Sequence, residues 1–222
     1  CESDLTLEGM KGRECYLGID LSSGGDLASI ALVFPIENEE IFIHTHSFLP
    51  ELRLLEHEKI DEAPYRIWAN AGLMTLTSGM FGIKTDYKYI IKYLKDLLEQ
   101  YQFKVLACGY DRHNASTFLA DLDFLDCELI DVVQSAKNLN DCTVDFRLAV
   151  KANQVKYNKN EDLLKWSVAG ATVVANSFKE IKIDKIKKTV RVDAIDAVLD
   201  AWKVMLSSQN ESYDPNEEYD EW

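Results

Sequence analysis

Apolar and polar positions along the chain fall into blocks of two different periods. Tyr16–Asp20, Ala28–Pro35 and Ile41–Leu49 are short, mainly apolar runs, joined by Ser-Ser-Gly-Gly in the first case and Glu-Asn-Glu-Glu in the second. Runs of this length bounded by turn residues predict a three-strand antiparallel meander. From Pro50 to Phe81 the period is lost, and the stretch carries Pro64, Trp68 and several charges. This predicts a long functional loop with helical turns. Asp86–Gln102 restores order: Tyr87, Ile90, Ile91, Leu94, Leu97 and Leu98 recur at helical spacing, with Asp86 placed to start the helix.

The second half alternates buried runs with helices. FKVLACGYD, ending in Asp111, and CELIDVV, starting at Cys127, are nearly all-apolar strands, and Ala115–Phe124 between them predicts a short helix. Such strands are covered on both faces. Val144–Ala152 and Asp162–Ala175 predict helices. Lys179–Arg191 alternates Ile and Val with Lys and predicts a hairpin, and Asp193–Leu206 predicts a closing amphipathic helix. The fold class is therefore α/β, a mixed sheet with an antiparallel three-strand meander plus parallel strands, flanked by helices. No internal repeat appears.

At 222 residues and 47% hydrophobic the chain can bury one core. The expected organisation is a linker remnant over 1–14, one domain over 15–208 and an acidic, disordered tail over 209–222. No run of about 18 apolar residues occurs, so no membrane is expected as a partner. The N-terminus has no basic-then-apolar leader, so nothing suggests secretion. The chain opens at Cys1 rather than Met, and a fragment of something longer is expected. The five cysteines have no CxxC spacing, and Cys15, Cys108 and Cys127 lie on apolar runs. A zinc site or a disulfide framework is not expected, and a reducing compartment fits better. His44 and His46 share one strand face without neighbouring partners and read as surface residues.

Charge narrows the function. The formal net charge of −14 opposes nucleic acid over most of the surface and argues against a simple DNA-binding module. It is compatible with an enzyme whose acids hold metal ions. Asp20 ends the first strand and Asp111 the central strand of the second half, while Asp193, Asp196 and Asp200 recur at i, i+3 and i+7 on one helix face. Each alone is an ordinary turn former, helix cap or solvated face. Together they form an oxygen-rich cradle of the kind Mg²⁺ or Mn²⁺ prefers, costly in apolar surroundings unless paired or metal-bound. Two such ions about 3.5–4 Å apart support phosphodiester hydrolysis.

LGIDLSSGGDLASIALV, YDRHNAS and VDAIDAVLDAW, in that order, resemble the C-terminal nuclease domain of the large terminase subunit of tailed phages, a family with an RNase H-like fold. KANQVKYNKNEDLLKWSVAGATVV is similar to the family's stretch before its last strand pair, and the resemblance spans Tyr16 to Leu206. It implies that Asp20 ligates both metals, that Asp111 ligates one, and that Asp196 is the third acid. Asp193 sits one turn earlier, where family members vary, and is a candidate for a further ligand or a water contact. Asp26 follows the glycine turn, where the family often has an acid, and reads as structural; Asp200 reads as a helix-face residue. The implied activity is endonucleolytic cutting of double-stranded viral DNA concatemers during genome packaging, with two Mg²⁺ or Mn²⁺ ions. Implied partners are the N-terminal ATPase domain of the same subunit, the portal and the small terminase subunit, in the host cytoplasm of an infected bacterium. No G-x-x-x-x-G-K-[ST] occurs, so the ATPase motor is expected to lie outside this chain.

Lys182, Lys185, Lys187, Lys188 and Arg191 gather on the expected hairpin. They read either as edge protection or as a basic strip meeting the DNA backbone. No base-reading element is evident, so cutting with little sequence preference is expected. Rival readings are a Holliday-junction resolvase or transposase-type enzyme of the same fold, an actin- or sugar-kinase-like ATPase suggested by GIDLSSGG, and a non-catalytic interaction module. Metal binding at Asp20, Asp111 and Asp196 separates the last from every nuclease reading.

Overall fold

Strands β2 (Glu14–Asp20), β3 (Ala28–Pro35) and β4 (Ile41–Pro50) form the meander, with β3 antiparallel to both neighbours. The structure is a computed structural model that describes residues 1–21, 26–79, 82–111, 116–187 and 189–211. Ser-Ser-Gly-Gly, residues 22–25, the Arg112–Ala115 part of YDRHNAS, Lys188 and residues 212–222 of the expected tail therefore lie outside the described residues.

On one side of the meander, β2 pairs in parallel with β6 (Lys104–Tyr110), which pairs in parallel with β7 (Glu128–Asp131). On the other, β4 pairs in parallel with β5 (Met74–Thr77) and with β8 (Val155–Asn158), and β8 pairs in parallel with β1 (Glu2–Ser3). The sheet order is β1-β8-β4-β3-β2-β6-β7, with β5 beside β4. The residues read as a linker, 1–14, thus contribute an edge strand, and Met10 is buried in the core.

Helices cover both faces, which is why β2 and β3 can be apolar almost throughout. On one face lies α3 (Tyr87–Tyr101), whose Asp86 cap accepts a bond from the Lys88 amide; Ile90, Leu94 and Leu97 point into a core with Leu17, Ile19, Ile30 and Leu32. On the other lies α7 (Asp193–Glu211), buried along Ala194, Ala197, Val198, Ala201 and Trp202. Each fully buried aliphatic or Phe side chain in these layers contributes about 1.5–3 kcal/mol. No described helix is long and apolar enough to cross a membrane.

Four expectations change. The irregular stretch after β4 contains α1 (Leu54–Ile60), α2 (Tyr65–Asn70) and β5. The helix expected over Val144–Ala152 begins earlier, as α5 (Ala136–Lys151), because Ser135 caps it by accepting from the Asn138 amide; polar NLND masked its first turns. The helix expected over Asp162–Ala175 stops at Ala169: α6 (Asp162–Ala169) gives way to β9 (Ala171–Ala175), where β-branched residues favour a strand. The hairpin is accordingly β9 with β10 (Ile181–Lys185), not a turn within Lys179–Arg191.

His44 and His46 are corrected as well. His46 is buried, stacked on Tyr93 at 3.9 Å and bonded to Thr75 Oγ1 at 2.8 Å. His44 is half-buried between Glu161 Oε1 (2.7 Å) and Tyr93 Oη (3.1 Å). Their partners come from α3, β5 and the start of α6, distant in sequence, so strand pattern alone leaves them without company. Burial, then His44, lowers the His46 pKa to about 3.

Candidate active site

The two strand-end carboxylates are brought together by register. Gly18 pairs with Gly109 and Ile19 with Tyr110, and the Asp111 amide donates to the Ile19 carbonyl at 3.4 Å. Asp20 and Asp111 therefore end adjacent parallel strands, whose separation is about 5 Å. Alternation turns Asp20 to the face of Tyr16 and Gly18, and Asp111 to that of Ala107 and Gly109, the face that α7 covers.

α7 lies against that face at backbone distance. A Cβ on Gly18 would fall on the Ala197 carbonyl oxygen, and one on Gly109 on the Asp200 carbonyl oxygen. This packing sets the first turn of α7, with Asp193 and Asp196, at the carboxyl ends of β2 and β6, where ligands of α/β sheets usually bind. The helix N-terminus adds partial positive charge there.

The result is a pocket of about 490 Å³ in which six carboxylates, Asp20, Asp26, Asp111, Asp184, Asp193 and Asp196, face three cations, Lys182, Lys185 and Arg191. A second groove, about 540 Å³ between α5, α6 and the β9–β10 hairpin, is mainly apolar with Arg147, Lys151 and Lys165 in its wall and has no carboxylate to hold a divalent ion.

Burial first, and like charge at Asp20 and Asp196 after it, raise the proton affinities of these acids. Burial, then Asp193, Asp196, Asp200 and Asp111, push the Asp20 pKa well above the carboxylate range. Burial also raises Asp193 to about 6, against an opposing backbone bond and Arg191. Asp196 is pushed up to about 7 by burial and Asp193, against Lys182. Among the described residues no three acidic, imidazole or thiol side chains stand in a ready-made ion cluster. The donor set is nonetheless all carboxylate oxygen, which suits a hard divalent cation.

A carboxyl group whose pKa is higher in the folded chain binds protons preferentially when folded, so its contribution to stability is lost as pH rises. Without divalent ions, Tm is expected to fall between about pH 4 and pH 7, the interval from the ordinary Asp value of 3.8 to those of Asp193 and Asp196. Adding Mg²⁺ or Mn²⁺ is expected to raise Tm by several degrees at pH 8, roughly 2–4 °C per kcal/mol at this size, and little at pH 5. Scanning calorimetry checks both; equal gains at the two pH values would count against ion binding by these acids.

Asp20, Asp111, Asp193 and Asp196 thus share one pocket. Lys182 and Lys185 stand in its wall on β10, with Lys182 Nζ donating to the Gln134 carbonyl at 3.4 Å. Lys187 is exposed just beyond β10, and Lys188 lies outside the described residues. Arg191 is mostly buried: its Nε bonds Asp61 at 3.1 and 3.2 Å, and Nη1 lies 3.5 Å from Asp26. Sequence reasoning missed Asp184, Gln134 and Asp61. It also left Asp200 on the helix surface, whereas Asp200 is 1% exposed and accepts from Gln134 Nε2 at 2.8 Å. Burial raises its pKa well above the usual range, against the hydrogen bond from Gln134. Gly109 facing the α7 backbone was the signal available for that burial.

The family described as the terminase large subunit, endonuclease domain, matches residues 5–209. The large terminase subunit of Enterobacteria phage HK97 is 25% identical over 188 residues, covering 84% of this chain and 36% of that protein. Protein YmfN of Escherichia coli (strain K12) is 25% identical over 191 residues, covering 79% of this chain and 40% of that protein. The chain spans well under half the length of these curated relatives. The crystal structure of the HK97 bacteriophage large terminase superposes with a TM-score of 0.76 at 21% identity, over 91% of this chain and 40% of that one. The large terminase nuclease of thermophilic phage G20c with bound magnesium gives 0.52 at 10% identity, over 85% and 79%. The fold is thus that of the terminase nucleases, RNase H-like, as expected from the sequence.

Proposed function

We propose, from the premise that the chain belongs to the terminase large subunit endonuclease-domain family, that it cuts double-stranded viral DNA concatemers during genome packaging by two-metal phosphodiester hydrolysis. One observation carries the reading: carboxylates from two adjacent parallel strand ends and the first turn of α7 line a single open pocket. Asp20, Asp111 and Asp196 would hold the ions, with Asp193 as a further ligand or water acceptor. When bound, two divalent ions supply Lewis acidity that makes water nucleophilic near neutral pH and offsets charge on the leaving oxygen.

The chain's own residues do the rest. Lys182 and Lys185 face the acids across the pocket, where a DNA backbone entering the site meets positive charge despite the overall −14. Lys187 extends the same strip, and Lys188 belongs to it by sequence. Cutting with little sequence preference is part of the same reading, because the Lys and Arg side chains in the pocket are of the kind that meets the DNA backbone. The proposal extends to a motor domain of the same subunit, the portal and the small terminase subunit as partners, in the cytoplasm of an infected host.

The test is plasmid cleavage by the purified protein. Nicking and linearisation are expected with Mn²⁺ or Mg²⁺, with activity lost in EDTA and restored by excess metal. Plasmid left intact with every metal, together with no Mn²⁺ binding by calorimetry, would sink the reading. A cruciform junction cut far faster than plain duplex would favour a resolvase instead.

A further inference from the structure

Asp61 closes α1 within the excursion between β4 and β5, and its side chain is fully buried. A buried carboxylate is costly unless satisfied, and this one is satisfied from three segments. Its Oδ2 is 3.0 Å from His57 Nδ1 on α1 and accepts from Tyr65 Oη on α2 at 2.9 Å; Arg191 Nε donates to both oxygens at 3.1 and 3.2 Å. Tyr65 is locked in turn by packing against Trp68 and Trp166. On the pocket side, Asp26 Oδ1 lies 3.5 Å from Arg191 Nη1 and 3.7 Å from His57 Nε2. Arg191 lines the same pocket as Asp20, Asp193 and Asp196.

We propose that Asp61 is a positioning residue for DNA cutting: it fixes the Arg191 guanidinium at the pocket wall so that its terminal nitrogens meet a backbone phosphate. This rests on the nuclease reading above. Asp61 grips the inner nitrogen, Nε, which fixes the plane of the guanidinium. A planar fork recognises phosphate well only when held in the right plane, and misplacement by about 1 Å costs a reaction roughly 10²-fold. The α1–α2 excursion thereby acts as a brace for the site, and its buried aromatic cluster makes the brace rigid.

The test is a cycle of Asp61→Asn, Arg191→Lys and the double variant, with plasmid cleavage, Mn²⁺ calorimetry and Tm measured for each. Arg191→Lys keeps the charge but gives up Nε. Asp61→Asn is expected to lower kcat about 10–100-fold with KM unchanged or lower and metal affinity unchanged. The double variant is expected to be no slower than the slower single one, because both changes break the same bond. A folded Asp61→Asn protein cutting at the wild-type rate, or a double variant showing the full product of both losses, would reduce Asp61 to a structural tie. If Asp61→Asn does not fold, Arg191→Lys alone decides: a fall of 10-fold or more at unchanged metal affinity supports the proposal, and a wild-type rate overturns it. A wild-type protein inactive in every metal overturns the nuclease reading itself, an outcome distinct from any difference among variants.

Discussion

Asp20→Asn is expected to lower metal-dependent plasmid cleavage by roughly 10³-fold or more, about 4 kcal/mol of barrier, while raising the Tm of the metal-free protein at pH 8. The two effects have one cause. Asp20 sits where burial and four neighbouring carboxylates oppose its charge, so ionising it costs folding free energy that a cation would offset. An amide of the same size removes the repulsion and the anionic ligand together. A merely structural Asp20 would behave differently: its loss would lower Tm and leave cleavage in proportion to the folded fraction. A folded Asp20→Asn protein that cuts at the wild-type rate would remove Asp20 from the chemistry, and the two-metal proposal with it.

Why the carboxylates were legible in the sequence, while much of their support was not, follows from range. LGID and VLACGYD announce themselves locally, as apolar runs that end in Asp, and DAIDAVLDAW places its acids by helical period alone. Adjacent parallel pairing of β2 with β6 then brings Asp20 beside Asp111, a step that needs only the alternation of buried strands with helices. Arg191 was visible as a charge, but Asp61, which holds it, lies 130 residues away on a stretch without period. His57 and Asp61 stand at i and i+4, a spacing legible only once α1 is known to be a helix. Strand β9 was hidden because ATVVA continues an apolar run begun by helix α6, and period cannot separate a short buried strand from a helix end. Gln134 gave no signal: its place at the pocket is fixed by Asp200, whose burial depends on how closely α7 approaches β6.

That approach also makes Gly18→Ala the substitution expected to cost most in stability. A Cβ there would overlap the Ala197 carbonyl oxygen and crowd the Ala201 amide nitrogen, and these are backbone atoms of a helix buried along Ala194, Ala197 and Ala201. A flexible side chain could swing aside; a helix backbone must move as a body. Overpacking a core costs typically about 1–3 kcal/mol, and displacing a central helix puts the cost at or above the top of that range, against a total of about 5–15. A Tm loss on the order of 10 °C, or an insoluble protein, is expected. Gly12→Ala is the control: nothing lies within 4 Å of a Cβ there, and its positive φ of 73° costs only about 1–2 kcal/mol. The comparison reaches function as well. Any shift of α7 away from β2 carries Asp193 and Asp196 away from Asp20. Gly18→Ala that remains folded is therefore expected to lose cleavage well beyond its folded fraction, whereas Gly12→Ala is expected to lose none. Equal Tm losses in the two variants would mean that the α7–β2 contact does not set the geometry of the site.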